Sequence, residues 1–203
     1  MATPVQWTFI RHGESIANAQ RKVSGWWDVA LTQTGRQQAL SAGRQLANLR
    51  VDRVLSSDLM RASETANIAM SARAAILDEY PPPKIIISPL LRERNFGKME
   101  GANIDLLRHD GRIQDLIQWD RCPQDAETMA GFSARVIRVL QQQNDSSATV
   151  VFAHGGVLRV ILGFLEQTPL NQLGLRKIDN AKPYTVTLTD AHKALLSKPV
   201  WLK

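Results

Sequence analysis

The sequence contains little of what marks secreted, disulfide-rich or membrane-spanning proteins. Cys122 is the single cysteine among 203 residues, which excludes an internal disulfide framework and favours a reducing, cytoplasmic setting. No stretch approaches the roughly 18 consecutive apolar residues of a membrane span. The first residues do not combine a basic region with an apolar run, so we expect neither membrane association nor a secretory signal.

The chain also lacks runs of one charge sign. Its 25 Lys and Arg residues exceed its 19 Asp and Glu residues and give a net charge of +6. The basic residues are scattered, however, and neither a known nucleic-acid reader motif nor an aromatic and basic platform accompanies them. We therefore expect no nucleic-acid partner, and a small phosphorylated metabolite is the anionic ligand that we favour.

Sequence motifs for metal ions and nucleotides are missing as well. The four histidines form no His-x-x-x-His or His-Glu-x-x-His pair, and no cysteine cluster or Gly-rich Walker loop is present. We therefore expect no metal ion and no cofactor.

Cys122 is followed by a segment without the arginine that a cysteine-based phosphatase needs to hold its anion. We interpret His109 and His192 as surface residues.

Strand-like and helix-like segments alternate along the chain and predict an α/β protein with a mostly parallel sheet. The length and the hydrophobic fraction of 44% suffice for a sizeable core. Since no linker or repeat divides the chain, we expect one domain over residues 1–203. The stretch 101–124 is weakly patterned and is expected to form a helical excursion over one edge. The predicted strands are 5–10, 51–57, 84–88, 148–154 and a closing pair, 184–190 and 195–203; the predicted helices are 32–50, 58–77, 126–143 and 155–167.

Two segments that combine histidine with glycine follow predicted strands. Arg11-His12-Gly13 comes after the first strand, and His154-Gly155-Gly156 comes after the very apolar strand TVVFA. Ligands of open α/β sheets bind beyond the carboxyl ends of the strands. The two histidines are therefore expected at the same site, although they lie far apart in the sequence.

The residue types at this site are those that phosphoryl transfer to a histidine requires. A neutral imidazole is nucleophilic, and neighbouring positive charge would keep His12 neutral. Arg11 and Arg61, if they meet, supply forked donors for phosphate oxygens. His154 could add a hydrogen bond, and Gly155 begins a helix whose free N–H groups favour an anion. The sequence thus predicts a phosphate-binding site around a nucleophile.

Phosphoryl transfer also needs an acid for the leaving oxygen, and Glu93 is the candidate. In an extended segment its side chain points opposite to those of Arg92 and Arg94, so it could enter the site while they face away. Near a bound phosphate dianion, a partly desolvated carboxyl group can hold a proton and donate it.

Four parts of the chain between Phe9 and Arg159 carry the motifs that point to a family. They read RHGES with SGWWD and LTQTGRQQA, then SSDLMRASETA, LRERNFGKMEG and AHGGVLR. In this order they resemble the signature segments of the histidine phosphatase superfamily, also called the phosphoglycerate mutase-like family. The resemblance implies a three-layer α/β/α sandwich of the phosphoglycerate mutase-like fold and a phosphohistidine intermediate on His12.

The match to these motifs also implies a role for individual residues. Arg11, Arg61 and His154 would bind the transferred phosphoryl group, and Asn18 would assist them. Glu93 would give a proton to the leaving group and later act as the base for water.

The resemblance leaves two reactions open. The first segments look especially like the cofactor-dependent phosphoglycerate mutases, but those enzymes carry a longer insertion with a lysine and an Arg-Arg pair. This chain has Ile104 where the lysine would fall, and its stretch 110–128 contains no Arg-Arg pair. We therefore expect a metal-independent phosphatase that hydrolyses a small phosphomonoester. A 2,3-bisphosphoglycerate-dependent phosphoglycerate mutase and a non-catalytic phospho-ligand-binding module remain as alternatives.

The residues expected to contact the substrate lie mainly on the loop after the first strand. A homodimer is left open. The candidate substrate-binding residues are Asn18, Lys22, Ser24, Gly25 and Gly155, with Arg21 and Lys98 as further candidates.

Overall fold

The computed structural model describes residues 5–79, 81–118, 120–143 and 147–197. A five-stranded sheet lies at its centre, and its strands follow the order β3-β2-β4-β1-β5. The edge strand β5 is antiparallel to β1, and the other neighbouring strands are parallel. The sheet is therefore mostly parallel, as predicted. The strands are β1 (Gln6–Arg11), β2 (Arg53–Ser56), β3 (Ile85–Ile87), β4 (Thr149–Ala153) and β5 (Pro183–Thr187).

Helices cover both faces of the sheet, which confirms the three-layer α/β/α sandwich. The second and third helices lie on one face, and the sixth and seventh lie on the other. None of the helices in the described part of the chain is long and apolar enough to cross a membrane. The helices are α1 (Ile16–Ala19), α2 (Gln33–Leu46), α3 (Met60–Leu77), α4 (Ile104–His109), α5 (Gln114–Ile117), α6 (Met129–Gln142), α7 (Gly155–Leu165) and α8 (Asp190–Leu196).

The central strand β4 is apolar because both of its faces are covered. All five of its residues are buried, as expected between two parallel neighbours with helices above and below. Successive side chains alternate between the layers: Val150 and Phe152 pack with α2 and α3, while Val151 and Ala153 pack with α6 and α7. A change of register by one residue would exchange the two cores.

The register of the sheet brings three strand ends to one edge. Arg11 at the end of β1 lies beside Ala153 at the end of β4, and Ser56 of β2 lies beside Phe152. Side chains that directly follow these three strands therefore become neighbours.

The prediction of a helical excursion over 101–124 is confirmed. Helices α4 and α5 lie in this stretch, and they contribute to a small core of their own around Val23, Met99 and Leu107. Arg94, which is 1% exposed, ties the excursion to the body because its guanidinium donates to three backbone carbonyls. These carbonyls belong to Leu116, Arg121 and Glu127.

The predicted strand 195–203 is wrong within the described residues. Leu196 lies in α8 and is buried in the core next to α6. The helix begins with a capping box, in which the Thr189 hydroxyl accepts the His192 N–H and the His192 ring accepts the Thr189 N–H. This cap favours a helix, and the apolar residues that suggested a strand supply its buried face. Residues 198–203 lie outside the described residues.

Candidate active site

The two histidines that follow β1 and β4 lie next to each other. The His12 N–H donates to the Ala153 carbonyl at 2.9 Å, which continues the parallel ladder by one residue. His12 is 3% exposed and His154 is fully buried. Their ring centroids are 5.2 Å apart. The structure therefore brings together the two histidines whose meeting was expected from the strand ends.

The protonation of His12 follows from one hydrogen bond. Its Nδ1 lies 2.7 Å from the Gly13 carbonyl oxygen, and because a carbonyl only accepts, Nδ1 carries the proton. Nε2 then keeps its lone pair. Burial holds the pKa of His12 well below its usual range, and the charges of Arg61 and Arg11 lower it further. The ring is therefore neutral at physiological pH, and the lone pair of Nε2 is available for bonding.

The buried Arg61 and the half-buried Arg11 supply the positive charge of the site. Arg61 lies on α3, and its Nη1 and Nη2 donate to the carbonyls of Trp27 and Gly25. Arg11 at the end of β1 donates through Nη1 to the Ile178 carbonyl. Burial lowers the pKa of both side chains, that of Arg61 to about 10. A guanidinium with a pKa near 10 is still charged at neutral pH, so Arg61 carries a full positive charge there. Their backbone bonds fix their positions before any ligand arrives.

His154 is oriented by Ser57, which follows β2. Its Nε2 lies 2.9 Å from the Ser57 hydroxyl oxygen. That oxygen accepts the Leu59 N–H and still carries its own hydrogen, so the hydroxyl can donate to Nε2. In that arrangement Nδ1 carries the ring proton. Burial lowers the pKa of His154 well below its usual range, and Arg61 and His12 lower it further. His154 is therefore neutral, and with Ser57 donating to Nε2 its Nδ1–H can serve as a donor.

Three nitrogen atoms of this cluster are buried without a hydrogen-bond partner in the described part of the chain. They are Arg11 Nε, Arg61 Nε and His154 Nδ1. A buried donor without an acceptor costs roughly 1–3 kcal/mol, and native proteins keep few of them. The three atoms belong to residues whose electrostatic influence reaches His12. An anion that bound next to His12 would therefore find donors that no protein group in the described ranges already uses.

Glu93 lies at the start of α7, beside this cluster. Its Oε2 accepts the Gly156 N–H and its Oε1 accepts the Arg94 N–H, both at 2.9 Å. A Cβ atom at position 156 would lie 2.2 Å from Glu93 Oε1, so a glycine is required for this approach. One N–H group at the start of this helix, where free N–H groups were expected to favour an anion, is thus already bound to the Glu93 side chain.

The guanidinium groups of the two arginines that flank Glu93 are bound to other parts of the chain. Arg92 makes a two-pronged ion pair with Asp58 and lies over the ring of Trp26. Arg94 holds the excursion through backbone carbonyls. Both are structural anchors for the loop that carries Glu93.

Arg135 on α6 holds the backbone of this loop, and sequence reasoning missed it. Its Nη1 donates to the carbonyls of Leu90 and Arg92, and its Nη2 donates to the Glu93 carbonyl, all at 2.8–2.9 Å. The Glu127 carboxylate accepts from Nε and Nη2 on the other side. The only signal in the sequence was an arginine within the apolar stripe of a predicted helix.

The predicted substrate contacts Ser24, Gly25 and Lys22 lie on one loop beside Arg61. The Gly25 carbonyl accepts from Arg61, and the Ser24 carbonyl accepts from the Trp27 N–H. The Lys22 ammonium group lies 5.8 Å from the centre of the Trp27 ring. The loop thus packs on a site arginine through its backbone.

Asn18 caps α1 and contacts the site indirectly. Its Oδ1 accepts from the Ser15 N–H and from Nδ2 of Asn180, which also donates to the His12 carbonyl at 2.8 Å. Because Oδ1 already accepts these two hydrogen bonds, Nδ2 is the atom of Asn18 that could contact a phosphate. Asn180 was not anticipated, because it follows no strand end that marks a site.

Of three further predicted substrate contacts, Gly155 borders the histidine cluster, while Arg21 and Lys98 are in ion pairs on the surface. Gly155 begins α7, and a Cβ atom there would lie 3.6 Å from both Arg11 Nε and Arg159 Nη1, so it borders the cluster. Arg21 is paired with Asp105 and Lys98 with Asp125, both at exposed positions. No group of three or more His, Cys, Asp or Glu residues in the described ranges could hold a metal ion.

Comparison with known proteins identifies the family. The model of the histidine phosphatase superfamily (branch 1) matches residues 7–198. A 2,3-bisphosphoglycerate-dependent phosphoglycerate mutase of Bartonella henselae is 34% identical over 168 residues, which cover 77% of this chain and 79% of the relative.

Solved structures share the fold. A mycobacterial glucosyl-3-phosphoglycerate phosphatase in complex with VO3 superposes with a TM-score of 0.80 at 21% identity, over 93% of this chain and 94% of the other. A candidate alpha-ribazole-5'-P phosphatase from Escherichia coli gives a TM-score of 0.76 at 26% identity, over 90% of both chains. Together with the match to the family model, the fold establishes that this chain belongs to branch 1 of the histidine phosphatase superfamily.

Proposed function

We propose that this protein is a metal-independent phosphatase that hydrolyses a small phosphomonoester through a phosphohistidine intermediate on His12. The observation that carries the proposal is a buried, neutral imidazole in a cluster with three buried nitrogen atoms for which the described residues provide no hydrogen-bond partner. Such a cluster is suited to a tetrahedral anion, because positioning and charge stabilisation are most of what phosphoryl transfer needs.

In the first step, His12 Nε2 attacks the phosphorus atom. The N–P bond forms, the P–O ester bond breaks, and the leaving oxygen takes a proton from Glu93. Arg11, Arg61 and His154 stabilise the charge on the phosphoryl oxygens, since fixed donors are most effective where solvent is excluded. The products of this step are the free alcohol and phosphohistidine.

In the second step, water attacks the phosphohistidine. Glu93, now a carboxylate, accepts a proton from this water, the N–P bond breaks, and the electron pair returns to His12 Nε2. Inorganic phosphate leaves, and Glu93 is again protonated for the next cycle.

Hydrolysis of p-nitrophenyl phosphate in the presence of EDTA tests this proposal. We expect turnover by the unaltered protein between about pH 5 and 8, and a loss of about three orders of magnitude or more in His12→Asn. His109→Asn is the matched control, because that ring is exposed on the excursion, and it should retain full activity. No turnover by the unaltered protein, or equal rates for His12→Asn, would contradict the proposal.

A phosphoglycerate mutase is the second candidate, and the name of the Bartonella relative favours it. Against it, Ile104 occupies the position where the resemblance to mutases places a lysine, and it packs against the small core of the excursion. Conversion of 3- to 2-phosphoglycerate, with and without 2,3-bisphosphoglycerate, separates the two candidates. Interconversion that outpaces phosphate release would make the protein a mutase.

A further inference from the structure

A pocket borders the candidate active site at Glu93. It lies between α6, α7, the excursion and the 3₁₀ segment Leu170–Leu175, and its volume is about 500 Å³ when its opening to solvent is included. Glu93 and Gly156, which are hydrogen-bonded to each other, form part of its wall. The pocket therefore reaches the group that, in the proposed reaction, protonates the leaving oxygen.

The rest of the wall is mainly apolar. Both α6 and α7 contribute to it, and the excursion closes it from the opposite side. Small-molecule sites typically combine such a lining with a few polar groups. The apolar side chains include Leu116, Ile117, Met129, Phe132, Val160 and Leu173.

One cation in the wall, Arg159, binds the described part of the chain through only one of its three guanidinium nitrogens. Arg159 on α7 uses Nε to bind the Arg176 carbonyl at 2.8 Å, and its Nη1 and Nη2 bind no acceptor within the described part of the chain. Its guanidinium and that of Arg11 flank Gly155 at the same distance, 3.6 Å from a Cβ atom placed there. Arg94, by contrast, donates to backbone carbonyls through all three of its guanidinium nitrogens. Arg159 is therefore the cation in this pocket that can meet a ligand.

We propose that this pocket binds the leaving group of the substrate and selects a phosphomonoester whose alcohol has an apolar, ring-sized body and carries an anionic substituent. This inference rests on the function proposed above. The apolar body displaces water from the wall, and the anion pairs with Arg159. A small polyol would leave both the apolar wall and the guanidinium without a partner.

Three synthetic esters test the selection: propyl phosphate, 3-phenylpropyl phosphate and 3-(4-carboxyphenyl)propyl phosphate. All are esters of primary alcohols, so their intrinsic reactivity is similar and differences in kcat/KM report the leaving-group site. We expect the phenyl group to raise kcat/KM by about tenfold or more. The carboxylate should add about another tenfold.

Two variants assign these gains to the pocket, each with a matched control. Ile117→Asn, at a half-exposed position in the wall, should lower the preference for the phenylpropyl ester over the propyl ester by about tenfold. Leu106→Asn, also on the excursion but outside the pocket and 65% exposed, should leave it unchanged. Arg159→Gln should remove the gain from the carboxylate, and Arg138→Gln on the exposed face of α6 should keep it.

The outcomes separate this inference from the function on which it rests. Each preference is a ratio of kcat/KM values for two esters measured in the same protein sample. A partly unfolded variant lowers both values equally, so the ratio remains valid. Equal kcat/KM for the three esters, in a protein that hydrolyses propyl phosphate, would overturn the inference and leave the phosphatase proposal intact. A failure to hydrolyse any phosphomonoester, p-nitrophenyl phosphate included, would remove the phosphatase proposal itself.

Discussion

The reactivity of His12 depends on which ring nitrogen carries the proton. The sequence places His12 and His154 at the ends of apolar strands, which is enough to expect that they meet. It does not give their tautomers, because these follow from the Gly13 carbonyl and the Ser57 hydroxyl. The directions of such groups depend on turn geometry that no local pattern encodes.

Glu93→Gln should separate the proton donor from the rest of the site. Glutamine preserves the shape but cannot give a proton, so kcat should fall about 10² to 10⁴-fold for an alkyl phosphate, whose leaving oxygen needs protonation. For p-nitrophenyl phosphate the loss in the first step should be small, because p-nitrophenolate leaves without help. The measurement is the burst and steady-state rates on both esters. Equal losses in the first step would remove Glu93 from the role of acid.

The loop that carries Glu93 is positioned by helix α6 through Arg135. Helix α6 was predicted from the sequence, and so were the five strands and the other long helices α2, α3 and α7. The clamp made by Arg135 was not, because its partners are backbone carbonyls of a loop distant in sequence. The predicted strand 195–203 failed for a related reason: the cap at Thr189 outweighed the local apolar pattern.

Arg135→Lys should loosen this clamp. A lysine keeps the charge but cannot reproduce the forked contacts to Glu127 and to the loop carbonyls. We expect kcat on an alkyl phosphate to fall about tenfold or more, with KM changed much less, because Glu93 would be misplaced while phosphate binding remains. Arg138→Lys, exposed on the same helix, is the control. A lower melting temperature with unchanged kcat would reduce Arg135 to a purely structural role.

At the scale of the whole molecule, two buried neutral histidines link folding to pH. The pKa values of His12 and His154 in the folded state lie well below 6.5, chiefly through burial. Below pH 6.5 the unfolded chain takes up protons at both rings while the folded chain does not. These rings therefore destabilise the fold as the pH decreases from 6.5 toward the folded-state pKa values.

Denaturant unfolding between about pH 7.5 and 5 measures this effect. Each histidine should contribute a decrease in unfolding free energy of up to about 1.4 kcal/mol per pH unit below 6.5. His154→Gln should reduce the slope, and His109→Gln should keep it. Phosphate or vanadate, which would bind the folded cluster, should raise stability throughout. A slope that is unchanged in His154→Gln would contradict the assignment.

The phosphohistidine intermediate itself can be observed directly. The protein is mixed with a phosphomonoester, quenched in alkali, digested and analysed by mass spectrometry. The proposed mechanism predicts one phosphoryl group on the peptide that contains His12, sensitive to acid and missing from His12→Asn. A phosphoryl group on any other residue, or turnover of the same ester with no phosphorylated peptide at any time, would contradict it.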